Sequence, residues 1–241
     1  MMASTPEKFA IHEAARDGKL AVVEQLLAAN PKLANLRDED ERLPIHWAVS
    51  YNHFPIVQLL VQSKSFDPDA QDGMGWTPLM MAASVKDGEA LVDLLISKGA
   101  DVNVSNSNGQ TALHFTASKN NLDVARKLMA SKATTRKKDK RQQLPLHRAA
   151  AVGSVPMIKL LLENQSPINA TDIDGMTALH HAISEGHGDA AVALLKAGAD
   201  PSKEDREGHV ALLLAPDAKI RDFIIQSAER EGIDLKAMNL K

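Results

Sequence analysis

The sequence contains no cysteine, and this absence excludes several kinds of chemistry at once. Without cysteine the chain forms no disulfide, no thiolate metal site and no cysteine nucleophile. A chain without disulfides suits a reducing compartment, so we expect an intracellular protein of the cytoplasm and the nucleus.

Long apolar runs and a charge excess are missing as well. No uninterrupted apolar stretch approaches the roughly 20 residues that a membrane-spanning helix requires. The start of the chain lacks the apolar core and cleavage site of a signal peptide. The 28 lysines and arginines nearly balance 31 acids, which leaves a formal net charge of -3. No overall field therefore favours nucleic acid or an anionic membrane as the partner.

A short motif recurs seven times along the 241 residues. One copy reads LPLHRAAA at 144–151, and others read LPIHWAVS at 43–50 and TALHHAIS at 177–184. Successive copies are 34 or 33 residues apart at the histidine position or its equivalent. Those positions are His12, His46, Met80, His114, His147, His180 and Leu213. A period this constant predicts an array of repeats.

Each copy of the motif is followed by a second apolar block at helical spacing. VVEQLL at 22–27 and MIKLLL at 157–162 are examples, and each has the pattern of a buried helical stripe. A glycine or polar residue, such as Gly18 or Gly153, separates the two blocks, as a tight helical hairpin requires. D-x-x-G turns such as residues 172–175 come later, and their chemistry predicts a projecting finger.

The period of 33 residues and the motifs T-P-L-H-x-A-A and G-A-D-x-N resemble the ankyrin repeat over nearly the whole chain. The resemblance implies an all-α fold, an ankyrin-repeat α-solenoid of seven helix-turn-helix repeats with β-hairpin fingers, in which stacked neighbours complete one another's core. We expect one domain over residues 1–241, with the first and last repeats acting as caps. The expected repeats are 5–37, 38–72, 73–105, 106–138, 139–171, 172–204 and 205–235.

The recurring histidine has a structural interpretation. Its imidazole can bond the backbone of the neighbouring finger and the threonine hydroxyl of its own motif, which ties repeat to repeat. His180, His181 and His187 are a local cluster, but no acid completes an HExxH zinc site. No nucleophile and base are paired in the sequence either. We therefore expect no metal, no cofactor, no small-molecule substrate and no enzymatic activity.

Two predicted fingers carry charge of opposite sign. Residues 136–141, RKKDKR, hold five bases and one acid, whereas residues 37–42, RDEDER, hold four acids and two bases. Three interpretations of the basic run are open. It is a solvated finger tip, a contact for an acidic surface of a protein partner, or a nuclear import signal or nucleic-acid contact. Opposite charges offered to one partner would fix its orientation and speed its encounter.

In the ankyrin fold, the residue after the motif histidine and those four and five positions beyond that histidine face a concave groove. Three of the eight aromatic residues, Trp47, Tyr51 and Phe115, fall on these positions. Trp, Tyr and Arg dominate binding energy at protein interfaces, which favours a protein-binding surface. The alternative is that Trp47 and Phe115 pack the inner helices. For Met80 and Met81, packing is favoured over an adaptable contact surface.

More than the repeat consensus is shared with one group of ankyrin proteins. The stretches D-x-R-x-x-x-H-W at 40–47, G-W-x-P-L at 75–79, A-S-K-N at 117–120 and H-R-A-A-A at 147–151 resemble gankyrin and its fungal counterparts. Members of that family are assembly chaperones of the proteasome regulatory particle. They hold the C-terminal domain of one AAA+ ATPase subunit of the base in the concave groove. The resemblance implies a chaperone that is monomeric when unbound; the alternative is a generic adaptor or inhibitor of a kinase or transcription factor.

The resemblance also implies which residues contact the partner. It places Arg42, Trp47, Trp76, Lys119 and Arg148 on the ATPase-binding surface, with the acids of the first finger meeting bases of the ATPase. Together with the groove positions, the complete predicted surface is Asp38, Asp40, Arg42, Trp47, Tyr51, Trp76, Met81, Phe115, Lys119, Arg148, Val152, His181 and Glu185. The animal proteins carry L-x-C-x-E in the sixth repeat, where this chain reads HAISEG at 181–186. Their retinoblastoma-protein binding is therefore not implied here.

Overall fold

The structure, a computed structural model, describes residues 9–235, and these residues fold as successive helical hairpins. None of the helices in this range is long and apolar enough to cross a membrane. The first predicted repeat begins at residue 5, so its first residues lie outside the described range. The first six hairpins are α1 (Ala10–Arg16) and α2 (Leu20–Ala29), α3 (Pro44–Ser50) and α4 (Phe54–Leu60), α5 (Pro78–Ala82) and α6 (Glu89–Ser97), α7 (Ala112–Lys119) and α8 (Leu122–Ala130), α9 (Pro145–Ala151) and α10 (Val155–Glu163), α11 (Ala178–Ser184) and α12 (Gly188–Lys196).

The seventh hairpin pairs a short 3-10 helix, Ala211–Leu214, with the longer α13 (Ala218–Arg230). A second 3-10 helix, Pro31–Asn35, follows α2. In α13, Ile224 and Ala228 are 0% exposed, and this helix packs on α12. Seven helical hairpins, one for each copy of the motif, are therefore present as predicted.

The chain divides into two compact units. The first unit contains the chain up to Ala112 together with the short segment Ala130–Lys132. The second unit contains Leu113–Met129 and the chain from Ala133 on. Within the first unit, α1 packs on α3 and α3 on α5, while α2 packs on α4 and α4 on α6. Within the second unit, α9 packs on α11 and α10 on α12. Each unit therefore has one layer of first helices and one layer of second helices.

The motif residues form the core of each unit. Pro145 lies in the first turn of α9, where its missing N–H removes no helical hydrogen bond. Leu146, Ala149 and Ala150 of the same helix are 0% exposed. The leucine supplies apolar surface, and the two alanines let neighbouring helices approach closely. The apolar periodicity of the motif thus corresponds to the buried face.

The fingers between hairpins are tight turns, and the expected β-hairpin ladders are not found. Between residues 9 and 235 there is no strand, only an isolated antiparallel bridge between Glu204 and Val210. In the fifth finger, the amide of Asp172 donates to the carbonyl of Met176 at 2.9 Å. The Asp172 carboxylate accepts the amides of Asp174 and Met176 at 3.0 Å each. Because the Asp172 carboxylate accepts these two amides, too few backbone N–H groups of the finger remain to form a β-ladder.

Adjacent fingers within a unit are joined by one repeated backbone hydrogen bond. In the second unit, the amide of Ile173 donates to the carbonyl of Arg141 at 2.9 Å. In the same way, the amide of Arg206 donates to the carbonyl of Asp174 at 3.0 Å. In the first unit, the amide of Gly73 donates to the carbonyl of Asp40 at 2.9 Å. The tip of each such finger is therefore positioned by its neighbour.

Gly175 at the tip of the fifth finger lies close to the backbone of the sixth finger. Its φ is +79°, and an added Cβ would lie 2.8 Å from the amide nitrogen of Arg206. The matched glycine of the sixth finger, Gly208, has φ +83° and nothing within 4 Å of such a Cβ. We expect Gly208→Ala to cost about 1–2 kcal/mol from backbone strain alone. Gly175→Ala should cost about 1–3 kcal/mol more because a backbone atom must move.

Urea unfolding of the two glycine variants measures this difference. Equal losses of stability for Gly175→Ala and Gly208→Ala would show that the fifth and sixth fingers are not in close contact.

Candidate functional site

In the first unit, Trp47 is held against the turn of the first finger. Its indole Nε1 donates a 2.7 Å hydrogen bond to Oδ2 of Asp38. Oδ1 of Asp38 accepts the amides of Asp40 and Arg42, at 2.9 Å each. Burial acts to raise the pKa of Asp38, but the hydrogen bonds from Trp47, Arg42 and Asp40 outweigh it and hold that pKa below its usual value. An ionised Asp38 therefore fixes the indole at neutral pH.

Arg42 connects the first finger to the second. Its Nε lies 3.2 Å from Oδ2 of Asp72, whose side chain is only 2% exposed. The guanidinium carbon lies 4.9 Å from the centroid of the Trp47 ring, which is cation–π geometry. The Arg42 side chain is still 29% exposed. We call Asp38, Arg42, Trp47 and Asp72 the Trp47 cluster.

Tyr51 extends the Trp47 cluster into solvent. Its ring is stacked between those of Trp47 and His53, with centroid distances of 6.4 Å to each. Tyr51 is 55% exposed, and Trp47 is half-buried. The aromatic side chains of this surface are therefore accessible, as a binding surface requires.

Trp76 and Met81 lie beside Arg42 around a small cavity of about 180 Å³. Trp76 is half-buried, but Met81 is only 5% exposed. The Ser50 hydroxyl lies 3.3 Å from the Met81 sulfur. Met81 is therefore mostly enclosed at the base of this cavity, in keeping with the packing interpretation, and its role as a contact residue stays a prediction.

In the second unit, Arg148 repeats the geometry of Trp47. Its Nη2 donates at 2.8 Å to Oδ2 of Asp139, the first residue of its own finger turn. In both pairs the aspartate lies nine positions before its partner. Asp139 is 2% exposed and the Arg148 side chain 28% exposed. Arg148 is thus oriented internally and retains an accessible edge.

His181 is more enclosed than the sequence suggests. Its Nε2 lies 2.9 Å from Oδ2 of Asp172, which is again nine positions earlier. The His181 side chain is 14% exposed, and that of Asp172 is 0% exposed. The rings of His181 and His147 meet edge to face at 5.6 Å. His181 therefore offers a partner little surface, and its role as a contact residue stays a prediction.

The remaining predicted contact residues of the second unit differ in exposure. Phe115 is half-buried, whereas Lys119 and Glu185 are exposed. Val152 is 42% exposed. Of the first-unit residues, Asp40 is exposed at the finger tip. These side chains remain available for contact, and their role stays a prediction.

The motif histidines are structural, as predicted. Nδ1 of His147 accepts the amide of Leu144 at 3.0 Å, and its Nε2 contacts the Ala170 carbonyl at 3.1 Å. His180 also lies 2.8 Å from the Thr177 hydroxyl, the bond expected from the motif. Because Nδ1 accepts, the ring is neutral and Nε2 is the donor. No group of three or more histidines and acids within residues 9–235 could hold a metal ion.

Burial opposes protonation of these histidines. Desolvation lowers the pKa of His114 and His147 to about 4. The pKa of His46 and of His180 is lowered for the same reason. Four motif histidines therefore stay uncharged at neutral pH.

Sequence reasoning missed two sets of residues. The finger aspartates Asp139 and Asp172 orient Arg148 and His181, and an aspartate nine positions before each is the signal that could have found them. Asp72 contacts Arg42, which lies 30 positions earlier in the chain, and no such signal marks it. His53 and His187 precede second helices and bond the previous repeat, at the carbonyls of Arg16 (2.8 Å) and Ala151 (3.2 Å). No motif of their own marks these two histidines.

Comparison with known proteins identifies the repeat and near full-length relatives. A family model described as ankyrin repeats (3 copies) matches residues 11–106, 64–139, 83–172 and 131–205. The "Probable 26S proteasome regulatory subunit p28" of Saccharomyces cerevisiae is 36% identical over 225 residues, which are 91% of this chain and 98% of the yeast protein. An ankyrin repeat-containing protein of Schizosaccharomyces pombe is 37% identical over 218 residues, covering 88% and 92% of the two chains.

Solved structures agree on the fold. The ankyrin repeat domain of Bcl-3, a member of the IkappaB family, aligns with TM-score 0.74 and 26% identity over 89% of this chain and 96% of that domain. The human ASB11 ankyrin repeat domain aligns with TM-score 0.78 and 22% identity, over 90% and 96%. The all-helical ankyrin-repeat fold predicted from the motif period is confirmed.

Proposed function

Because this chain belongs to the ankyrin-repeat family, we propose that it acts by holding another protein, without enzymatic activity of its own. The proposed role is that of an assembly chaperone of the 26S proteasome regulatory particle, which binds the C-terminal domain of one AAA+ ATPase subunit of the base. The observation that carries the assignment to the proteasome is the yeast subunit, which aligns over 98% of its length. The proposed locations are the cytoplasm and the nucleus.

The Trp47 cluster supports binding by a preformed surface. Trp47 is hydrogen-bonded to Asp38, and Arg42 is fixed between Asp72 and the indole ring. Side chains that are already ordered lose little conformational entropy when a partner docks. Buried Trp and Arg anchors contribute about 2 kcal/mol or more each at protein interfaces.

The charges of the first unit support a partner with basic side chains. A cavity of about 500 Å³ opens beside Trp47. Four acids, Glu13, Asp38, Glu39 and Asp40, line it, against one arginine, Arg16. In the second unit, the exposed Lys119 and the accessible edge of Arg148 suit carboxylates. The partner that we propose is therefore an ATPase domain with bases for the first finger and acids for Lys119.

The test is binding of purified full-length protein to the isolated ATPase C-terminal domains, measured by titration calorimetry. We expect one domain to bind, and Trp47→Ala or Arg42→Glu to weaken binding about 30-fold or more, equivalent to about 2 kcal/mol. Phe223→Ala is the matched control, because Phe223 is an aromatic residue 43% exposed outside the predicted surface. Thermal unfolding of each variant checks that the fold is kept.

Failure of every proteasomal ATPase domain to bind would overturn the proposal. Equal weakening by Phe223→Ala would remove the Trp47 cluster from the interface. Capture of a kinase or transcription factor, with proteasome assembly unaffected when the protein is deleted, would instead support the adaptor alternative.

A further inference from the structure

The charged side chains that the fourth finger presents to solvent are all basic. We define the basic finger as residues 136–143. Its one acid, Asp139, points inward: Oδ1 accepts the amides of Arg141 and Gln143 at 2.9 Å each, and Oδ2 accepts Arg148 Nη2. The five bases are all exposed: Arg136, Lys137, Lys138, Lys140 and Arg141. The outward charge is therefore more positive than the sequence of the run indicates.

The basic finger is a rigid turn. The amide of Gln142 donates to the Asp139 carbonyl at 2.8 Å, which adds to the bonds to the Asp139 carboxylate. Gln142 has φ +60°, a left-handed conformation that costs a non-glycine residue about 1–2 kcal/mol. Gly175 and Gly208 fill the matching position in the next two fingers, with φ +79° and +83°. The fourth finger therefore carries a side chain where the next two fingers carry glycine.

The acidic first finger shares this feature. Glu41 has φ +58° at the position that matches Gln142. The glycine that relieves strain is therefore absent from both of the fingers with the strongest charge.

The basic surface ends at the next finger. Arg141 Nη2 lies 3.4 Å from Oδ2 of Asp174, and Lys138 Nζ donates to the Thr171 carbonyl at 3.0 Å. Asp174 is 56% exposed, and Glu207 of the sixth finger is 81% exposed. A strongly basic surface of the second unit is therefore about one finger wide.

Three bases of the basic finger have no partner within the described residues: Arg136, Lys137 and Lys140 make no ion pair there. They project from a turn whose backbone is already ordered, so an anion that binds them must order the side chains alone. Charge–charge attraction of this kind is strong at low salt and is screened as salt rises.

We propose that the basic finger binds an acidic segment of a protein, a short extended run of aspartates and glutamates. This site goes beyond the proposed function, because it does not involve the Trp47 cluster. An extended run spaces its side chains at about 3.3 Å per residue, so a few carboxylates match a single finger.

Nucleic acid fits the basic finger less well. Single-stranded nucleic acid is bound along several nucleotides on aromatic platforms. In the second unit the only Phe, Tyr or Trp residues are Phe115, half-buried, and Phe223 of α13. A longer polyanion that runs toward the fifth and sixth fingers would also meet the acids Asp174 and Glu207, which repel phosphate.

The experiment uses the full-length protein and a fluorescein-labelled octaglutamate peptide, with binding followed by fluorescence anisotropy in low and high salt. We expect salt-sensitive binding that Lys137→Glu with Lys140→Glu weakens at least tenfold. The matched control, Lys159→Glu with Lys219→Glu, changes the net charge equally at two exposed lysines of the second unit and should stay within twofold. None of these substitutions removes Asp139 or Arg148, so the turn is preserved; circular dichroism verifies this.

Four outcomes would overturn the proposal. These are no binding of octaglutamate, equal weakening by the control pair, tighter binding of an eight-residue oligothymidylate, or tighter binding of phosphatidylserine vesicles. The last two would identify nucleic acid or an anionic membrane as the ligand of the basic finger.

Discussion

Replacing Asp172 with alanine is expected to lower the free energy of unfolding by about 3–5 kcal/mol. The side chain is 0% exposed and accepts four hydrogen bonds. Two come from the amides of Asp174 and Met176, one from Gln143 Nε2 at 3.0 Å, and one from His181 Nε2. Alanine leaves these donors without their acceptor, and each buried unsatisfied group costs about 1–3 kcal/mol.

Asp174→Ala is the matched control in the same turn. Asp174 is 56% exposed, and its side chain makes one long ion pair, at 3.4 Å with Arg141. Removal of such a pair should cost less than about 1 kcal/mol. Urea unfolding of both variants at pH 7 measures the difference. A similar loss for the two would mean that the buried aspartate does not organise the fifth finger.

Lowering the pH from 7 to 5 is expected to destabilise the protein by about 2 kcal/mol for each of His114 and His147. Their pKa is about 4 in the folded protein and about 6.5 in the unfolded chain. The unfolded chain therefore takes up protons first as the pH falls. The stability that the neutral rings provide is complete above about pH 6.5 and is lost progressively toward pH 4. His46 and His180 shift in the same direction.

Unfolding free energies at pH 7.5, 6 and 5 test the histidine prediction. His147→Gln should reduce the dependence of the unfolding free energy on pH, because it removes one of these buried rings. The low pKa values of Asp38 and Asp172 restrict their titration to pH values below this window. Constant stability from pH 7.5 to 5 would contradict the assignment of His114 and His147 as buried neutral rings.

The repeat architecture was predictable because the information is local and periodic. The motif at 144–151 contains a proline that begins the helix, a leucine that is buried and two alanines that permit close contact. Its histidine recurs at the same position of the motif, so the structural role of one such histidine indicates the role of the others. The same periodicity identifies the residue after each histidine, which led to Trp47 and Arg148.

The direction of individual side chains was not predictable in this way. Met81 and His181 occupy the same motif position as Trp47, yet both are mostly enclosed. Each depends on its surroundings: the sulfur of Met81 contacts Ser50 of the preceding repeat, and His181 contacts a buried aspartate of its own finger. The Met81 contact joins residues of two repeats, so a single repeat does not encode it. The His181 contact lies within one repeat, but its spacing of nine positions does not show how far the two side chains are buried.

The sequence by itself determined the repeat, its helical hairpins and the structural histidines, because each follows from a periodic pattern of residues. The choice of candidate contact residues followed from the resemblance of that pattern to a known family. Only the tertiary structure decided which of those residues reach solvent, that the fingers are turns without strands, and that Asp139 points inward. The physical reason is that a carboxylate in a tight turn satisfies the nearest buried donors, and those donors come from backbone and neighbouring helices positioned by the fold.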